Sequence, residues 1–181
     1  MMKSALYVLG LLLACLPMRH SPEKLLKEAT VSLPEAVEKA LPEIKEGSAV
    51  TARLKEDKGR VLYVVSVAQG EGAVRLSIDA KTKEIVEKAS LKKNYAKLIG
   101  ASKVTLAKAV EAAILKVPGK ATRVHFELKK GKPVAEVIVF KDGKSFEVKL
   151  DAVTGSVIKV EEDDDDDDDG DDDDDDEGDD D

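Results

Sequence analysis

The sequence predicts an α+β fold of two tandem modules, each one helix packed on a small antiparallel β-meander, followed by a disordered acidic C-terminal tail. Three observations predict it: an internal duplication, a change of hydrophobic period inside each copy, and an abrupt change of charge near residue 161. Val31-Ser32-Leu33 is answered by Val104-Thr105-Leu106, and Ala36-Val37-Glu38 by Ala109-Val110-Glu111, both at an offset of 73. Asp79-Ala80-Lys81-Thr82 is answered by Asp151-Ala152-Val153-Thr154 at an offset of 72, which places one deleted residue between the strands of the second copy. A repeat of this length is a supersecondary unit. It lies near the lower limit for independent stability, so the copies are expected to pack together.

The first copy opens on Ser32 with Glu35 three residues later, the form of a capping box. Pro34 fits a first helical turn, where its missing N–H is not needed. Leu33, Val37, Ala40, Leu41 and Ile44 then recur at helical spacing and give one apolar face, while Glu35, Glu38, Lys39 and Glu43 stay in water. Pro42 kinks this helix or ends it early. In the second copy Thr105 takes the cap position, Leu106, Ala109, Val110, Ala113, Ile114 and Val117 supply the face, and Pro118-Gly119 stops the helix.

After each helix the period falls to two. Val50, Ala52 and Leu54 alternate with Thr51, Arg53 and Lys55, as Val124, Phe126 and Leu128 alternate with Arg123, His125 and Glu127, the mark of half-buried strands. Asp57-Lys58-Gly59 and Lys130-Gly131-Lys132-Pro133 are turn chemistry. They lead into the apolar runs 61–67 and 134–140, which suit central strands covered on both faces. Gly70-Glu71-Gly72 and Asp142-Gly143 mark further hairpins, followed by Val74, Leu76, Ile78 and by Phe146, Val148, Leu150. A last turn, with Gly155 in the second copy, leads to short fourth strands at Ile85-Val86 and Val157-Ile158.

These elements divide the chain into a signal peptide at 1–15, a tether at 16–30, a first module at 31–87, a connecting segment at 88–103, a second module at 104–160 and a tail at 161–181. Leu91, Tyr95, Leu98 and Ile99 keep helical spacing in the connecting segment, predicting a short docking helix before Gly100. At the N-terminus, Lys3 precedes an apolar run at 5–14 that is too short to span a bilayer and fits the core of an export signal. Leu12-Leu13-Ala14-Cys15 resembles a lipobox. Cys15 is therefore either lipidated or an ordinary residue of a discarded signal, and both readings remove it from catalysis. As the only cysteine it forms no intramolecular disulfide. The protein is expected outside the cytoplasm: periplasmic, held in the envelope as a lipoprotein, or secreted.

The net charge of −8 conceals a division, because residues 161–181 carry 19 acidic side chains and no basic one while the rest of the chain holds 29 basic residues against 18 acidic. Without apolar side chains the tail has nothing to offset the entropy of ordering. Its aspartates are hard oxygen donors suited to Ca²⁺ and Mg²⁺. Asp165, Asp167, Asp169, Asp171 and Asp173 even follow the spacing of an EF-hand loop with Gly170 at the sixth place, but an aspartate run satisfies that spacing automatically, and Asp176 stands where a bidentate Glu belongs. Weak, non-stoichiometric cation binding is the expectation, with no other cofactor.

Nothing in the sequence composes an active site. His20 lies just after the export signal, and His125 falls on the polar register of a strand, read here as an exposed residue without catalytic partners. Two isolated histidines and one processed cysteine make no familiar zinc site, and neither a phosphate-binding glycine loop nor a Gly-x-Ser-x-Gly elbow occurs. Asp79 and Asp151, recurring at matching places, read as turn-capping residues rather than a carboxylate pair. The basic body does not point to nucleic acid, since its lysines are spread over both copies, Trp is absent and the aromatics form no stacking series.

The ordered set Val104-Thr105-Leu106, Pro118-Gly119 and Asp151-Ala152-Val153-Thr154-Gly155, with its looser counterpart in the first copy, resembles the PepSY family of small bacterial extracytoplasmic modules. The first copy departs from the pattern at Lys83, where the second has Gly155, and Tyr63 is matched by Glu136 in the second copy. The resemblance implies a non-catalytic binding protein that regulates or inhibits an extracytoplasmic peptidase. The alternative is a binder of divalent cations or cationic surfaces through the tail, with the membrane engaged only by a lipid anchor. Specific sites are expected where the copies differ, as at the exposed positions Tyr63 and Glu136, in the groove between the copies, or in the tail.

Overall fold

The structure, a computed structural model, describes residues 21–163. The segment read as an export signal, Cys15, His20 and the tail carboxylates Asp165, Asp167, Asp169, Asp171 and Asp173 lie outside the described residues.

The first module comprises α1 (Pro22–Glu28), α2 (Leu33–Ala40), β1 (Ser48–Asp57), β2 (Arg60–Gln69), β3 (Gly72–Asp79) and β4 (Ile85–Leu91). The second comprises α3 (Ala96–Ala101), α4 (Leu106–Lys116), β5 (Lys120–Lys129), β6 (Lys132–Lys141), β7 (Lys144–Asp151) and β8 (Val157–Glu162). The capping box forms, with Ser32 N–H donating to Glu35 Oε2 at 2.8 Å and Glu35 N–H donating to Ser32 Oγ at 3.5 Å. Pro42 ends α2 at Ala40, and a single 3-10 turn (Leu41–Glu43) carries the chain onward. Thr105 Oγ1 caps α4 by accepting from Lys108 N–H at 3.3 Å.

Several boundaries differ from the sequence expectation. The segment read as a tether contains α1, which buries Leu25 and Leu26, and its counterpart is α3, so that Lys24-Leu25-Leu26 answers Lys97-Leu98-Ile99. One apolar pair in a charged stretch is too little periodicity to announce a helix. The strand β4 runs on to Leu91, and α3 takes in Gly100. The strand β8 takes in Glu161 and Glu162, assigned above to the tail, because the ladder continues through Glu147↔Glu161 and Phe146↔Glu162. Backbone pairing carries these acidic residues into the sheet without help from apolar side chains.

All eight strands form one antiparallel sheet in the order β4-β3-β2-β1-β5-β6-β7-β8. The modules join where β1 meets β5, through the pairs Thr51↔His125, Ala52↔Val124 and Arg53↔Arg123. Because residues 51–53 correspond to 123–125 at an offset of 72, this register puts a pseudo-two-fold axis through the Ala52/Val124 pair. Equivalent bulges at Ala49/Thr51 and Ala121/Arg123 flank the seam. Bulges sharpen strand twist and keep the joining ladder short.

The strand offset of 72 holds throughout both hairpins, since Leu54↔Tyr63 is answered by Phe126↔Ala135. The missing residue therefore lies between helix and first strand, where Lys45-Glu46 faces the single Pro118, and not between the strands. Glu46 absorbs the extra length at φ 57°. This moves the correspondence: Tyr63 matches Ala135, and Glu136 matches Val64. Neither differing position is exposed, contrary to expectation, with Tyr63 at 1% and Glu136 at 9% of full exposure. The Tyr63 hydroxyl donates to Val31 O at 2.9 Å, and burial, followed by the nearby Glu35 charge, pushes the phenol up to about 12.

Helices cover one face of the sheet, and a single core spans both modules, joining Leu33, Val37, Val65, Leu76 and Ile78 to Leu106, Val110, Val137, Val148 and Leu150. The helices cross the seam, α2 reaching β5 and α4 reaching β1. Each module also ties its entry strap to its last hairpin: Thr30 and Val31 N–H donate to Ala80 O, as Lys103 and Val104 N–H donate to Ala152 O.

The turn from α4 into β5 depends on Gly119, where an added Cβ would lie 2.5 Å from Phe140 O and 2.8 Å from Val139 Cγ1. Gly119→Ala is expected to lower stability by about 1–3 kcal/mol in urea denaturation. Gly100→Ala, in open space on α3, should change stability by less than ~1 kcal/mol and in the favourable direction.

Candidate functional site

Side chains alternate across a strand, so the residues between the core positions share the face turned away from the helices. The registers align them in rows perpendicular to the strands. One row reads Lys159, Lys149, Glu136, His125, Thr51, Ser66, Arg75 from β8 to β3. The next reads Glu161, Glu147, Ile138, Arg123, Arg53, Val64, Ser77, Glu87 from β8 to β4. One corner of the face is closed by Val50, Ala68 and Ala73 packed with Leu91, Tyr95 and Ile99. Elsewhere β2 is buried on both sides, as its apolar run predicts, although its Leu62, Val64 and Ser66 lie on the face away from the helices.

In the second module this face is an ion-pair network centred on Glu136. Lys129 Nζ contacts its carboxylate, Lys149 Nζ lies at 3.4 Å and His125 Nε2 at 3.3 Å. Burial alone pushes the Glu136 carboxyl up, but hydrogen bonds from His125 and Lys129 outweigh it and hold the group well below the usual carboxylate range. Lys129 also pairs with Glu127 at 2.7 Å, and Glu127 followed by Glu136 raises its ammonium. Lys149 is raised chiefly by its hydrogen bond to Glu147, and it also lies 3.5 Å from Glu161. His125, read from sequence as exposed and partnerless, is thus half-buried beside Glu136. The pairing is invisible in sequence because the two residues meet only through the β5–β6 register.

His125, Glu127 and Glu136 each offer a ligand atom, all within 4.8 Å of one another, and His125 Nδ1 is buried without a hydrogen-bond partner. The donor types suit a transition metal. The electrostatics do not, because the Lys129 ammonium already engages both carboxylates and an entering cation would have to displace it. The network is better described as an internally paired charged surface than as a metal centre.

A second candidate is a cleft of about 320 Å³ between the modules, lined by Val37, Leu41, Ala49, Ile99, Leu106 and Phe126 among others. It is largely apolar, and convergent polar groups that would orient a ligand are few.

Asp79 and Asp151 sit at opposite ends of the sheet, each capping its own turn. Asp79 Oδ1 accepts from Lys81 and Thr82 N–H at 2.9 and 3.0 Å, and Asp151 Oδ1 from Val153 and Thr154 N–H, both at 2.8 Å. Backbone donors, Thr154 first and then Val153, lower Asp151. The Arg60 guanidinium, 2.8 Å from Asp79 Oδ2, leads the causes that depress Asp79 to about 2. A depressed folded pKa adds stability that is present above the unfolded value near 4 and lost as pH falls through about 2. Asp79→Asn should therefore destabilise the protein at neutral pH, with the gap to wild type closing between about pH 4 and pH 2 in pH-dependent urea titrations.

The sequence model of the PepSY family, described as "Peptidase propeptide and YPEB domain", matches residues 30–89 and 103–161. Among solved structures, the chain is similar to a candidate lipoprotein from Clostridium difficile 630, with 19% identity and a TM-score of 0.46, over 77% of this chain and 97% of that one. It is also similar to the Bacillus megaterium YpeB C-terminal domain, with 16% identity and a TM-score of 0.32, over 74% of this chain and 66% of that one. No curated protein matches it in sequence. The two matched segments together span more than half of the chain, and each coincides with one helix-and-meander unit: the chain belongs to the PepSY family and carries the domain twice.

Proposed function

We propose that this protein acts by recognition, as an exported PepSY-type regulator or inhibitor of an extracytoplasmic peptidase. The observation that carries this reading is the fusion of two domains into one sheet with a charged face of fixed register. Side chains held on a rigid sheet lose little freedom on binding, which favours a preorganised protein-binding surface. The family's association with peptidase propeptides supplies the class of partner.

The sheet edges are the less favoured contact. Both edge strands carry a bulge at equivalent places, leaving Val86 and Ile158 outside the ladder, and bulged edges resist the addition of a further strand. Export is supported by the sequence signal and by the family's setting. No helix among the described residues is long and apolar enough to cross a membrane.

Crosslinking pull-down from an envelope fraction should enrich a peptidase, and the purified chain should slow that enzyme. Arg53→Glu or Glu136→Lys on the sheet face should weaken inhibition at least tenfold. Enrichment of no peptidase, together with no inhibition across a peptidase panel, would remove the reading.

The acid-dense tail motivates a second reading, in which residues 163–181, with 17 carboxylate side chains, accumulate divalent cations or hold the protein to cationic surfaces. Calorimetry with Ca²⁺ should give heats of weak binding, with dissociation constants of about 0.1–1 mM, that disappear when the tail aspartates are replaced by asparagine. Equal heats from both proteins would end this reading.

A further inference from the structure

We infer that the cleft between the modules binds an aliphatic monocarboxylate, with a linear alkyl chain of medium length against its apolar walls and the carboxylate at its mouth beside Lys103 and the start of α4. The inference stands apart from any peptidase partner, because the cleft is built from helices and strand ends and not from the open charged face.

The cleft follows from the short seam. The ladder between β1 and β5 covers Thr51 to Arg53, and beyond it Ser48 and Ala49 of β1 and Phe126 of β5 line the space between the modules. Val37 and Leu41 enter from the α2 side, Ile99 from α3 and Leu106 from α4. Val37, Leu106 and Phe126 are buried whereas Lys103 and Thr105 are exposed, so the site runs from an apolar interior to a polar mouth. Its volume of about 320 Å³ lies at the lower end of the range for ligand pockets, roughly 300–1,000 Å³, and suits a small ligand.

The occupant follows from charge and from the chemistry of the walls. In the first module the start of α2 holds a carboxylate of its own, Glu35 Oε2 accepting from Ser32 N–H at 2.8 Å and from Ser32 Oγ at 2.6 Å. At the offset of 73, Lys108 stands in place of Glu35 and Lys103 in place of Thr30, and the first turn of α4 contains no acidic residue. The amides of Leu106 and Ala107, both lining the cleft, precede the first intrahelical bond, from Ala109 N–H to Thr105 O at 3.0 Å. Two cations and the positive end of a helix therefore flank a cleft that no acidic side chain lines among the described residues, and a single carboxylate complements them. Farther in, hydrogen-bonding groups are scarce, and the Ser102 hydroxyl is already donating to Leu98 O at 2.9 Å. A peptide would leave its amides unpaired against such walls, whereas an alkyl chain carries no polar group beyond its head.

The test titrates the full chain with decanoate below its micellar concentration, following calorimetric heats and backbone NMR shifts. Binding should saturate at one site, with shifts concentrated at Leu41, Ile99, Leu106 and Phe126, and decanol should bind about tenfold more weakly or worse. Affinity should rise from hexanoate to decanoate as methylenes are buried and then level off at tetradecanoate, whose tail outgrows the cleft. Lys108→Glu restores the carboxylate of the first module and its capping box, so it should preserve or raise stability in urea while weakening decanoate about tenfold. Lys103→Glu should weaken decanoate similarly and leave decanol unchanged, and Lys58→Glu, in the hairpin at the other end of β1, should leave both unchanged. Absent binding, equal binding of decanoate and decanol, affinity that keeps rising with chain length, or shifts centred on the exposed Leu115 and Ile158 would overturn the proposal. A leucine-terminated peptide that displaces decanoate and binds more tightly would also overturn it, by assigning the cleft to a protein C-terminus.

Discussion

Three residue pairs between β1 and β5 determine almost everything else about this protein. Two four-stranded meanders, each too small to be comfortably stable alone, become one eight-stranded sheet through that contact, and their helices then share a core. The ladder is short because equivalent bulges bound it, yet its register is strict. A slip of one residue would turn Ala52 and Val124 out of the core and drive Arg53 and Arg123 into it. The hydrophobic pattern of the two strands therefore enforces the apposition of the two arginines on the opposite face.

Around that axis the copies keep their frame and exchange its contents. In the first module the cross-strand pair Leu54 and Tyr63 fills the core below the entry strap, and the Tyr63 hydroxyl ties to Val31 O. The second module places Phe126 and Ala135 there, moving the aromatic ring to the neighbouring strand and giving up the hydroxyl bond. On the other face Val64 becomes Glu136, so that the first module is apolar where the second gathers lysines and a histidine. Divergence of the charged face thus lies one residue from core divergence along the same strand, on the opposite side of the sheet.

Much of this was legible in sequence because it is local. Cap residues, the proline stop after Ala40, turn glycines and the change of period each act within a few positions, and they mark α2, α4 and most strand positions. Elements held by distant partners were not legible. The helix α1 is fixed by two leucines that meet a core assembled from residues much later in the chain, and β8 is extended over Glu161 and Glu162 by its neighbour's backbone. The alignment slip was misplaced because helix and strand anchors alone do not say which loop lost a residue. That error put Tyr63 against Glu136 and made both look exposed. The charged site was hidden for the same reason, since only the cross-strand register brings His125, Glu136 and Lys149 together.

The face also divides the work of charge. Glu136 is nearly buried, and a buried carboxylate is tolerable only with its cationic partners in place, so Lys129, Lys149 and His125 are committed to it. Groups engaged in that way fix the shape of the surface, and they are poorly placed to give up their partners to an incoming ligand. At the seam the register alone sets Arg53 opposite Arg123, so the spacing of those two side chains is fixed by the junction of the domains. The seam is thus a part of the face that neither domain possesses by itself, and it exists only because the two sheets join in this register, with the ion-paired half as its border.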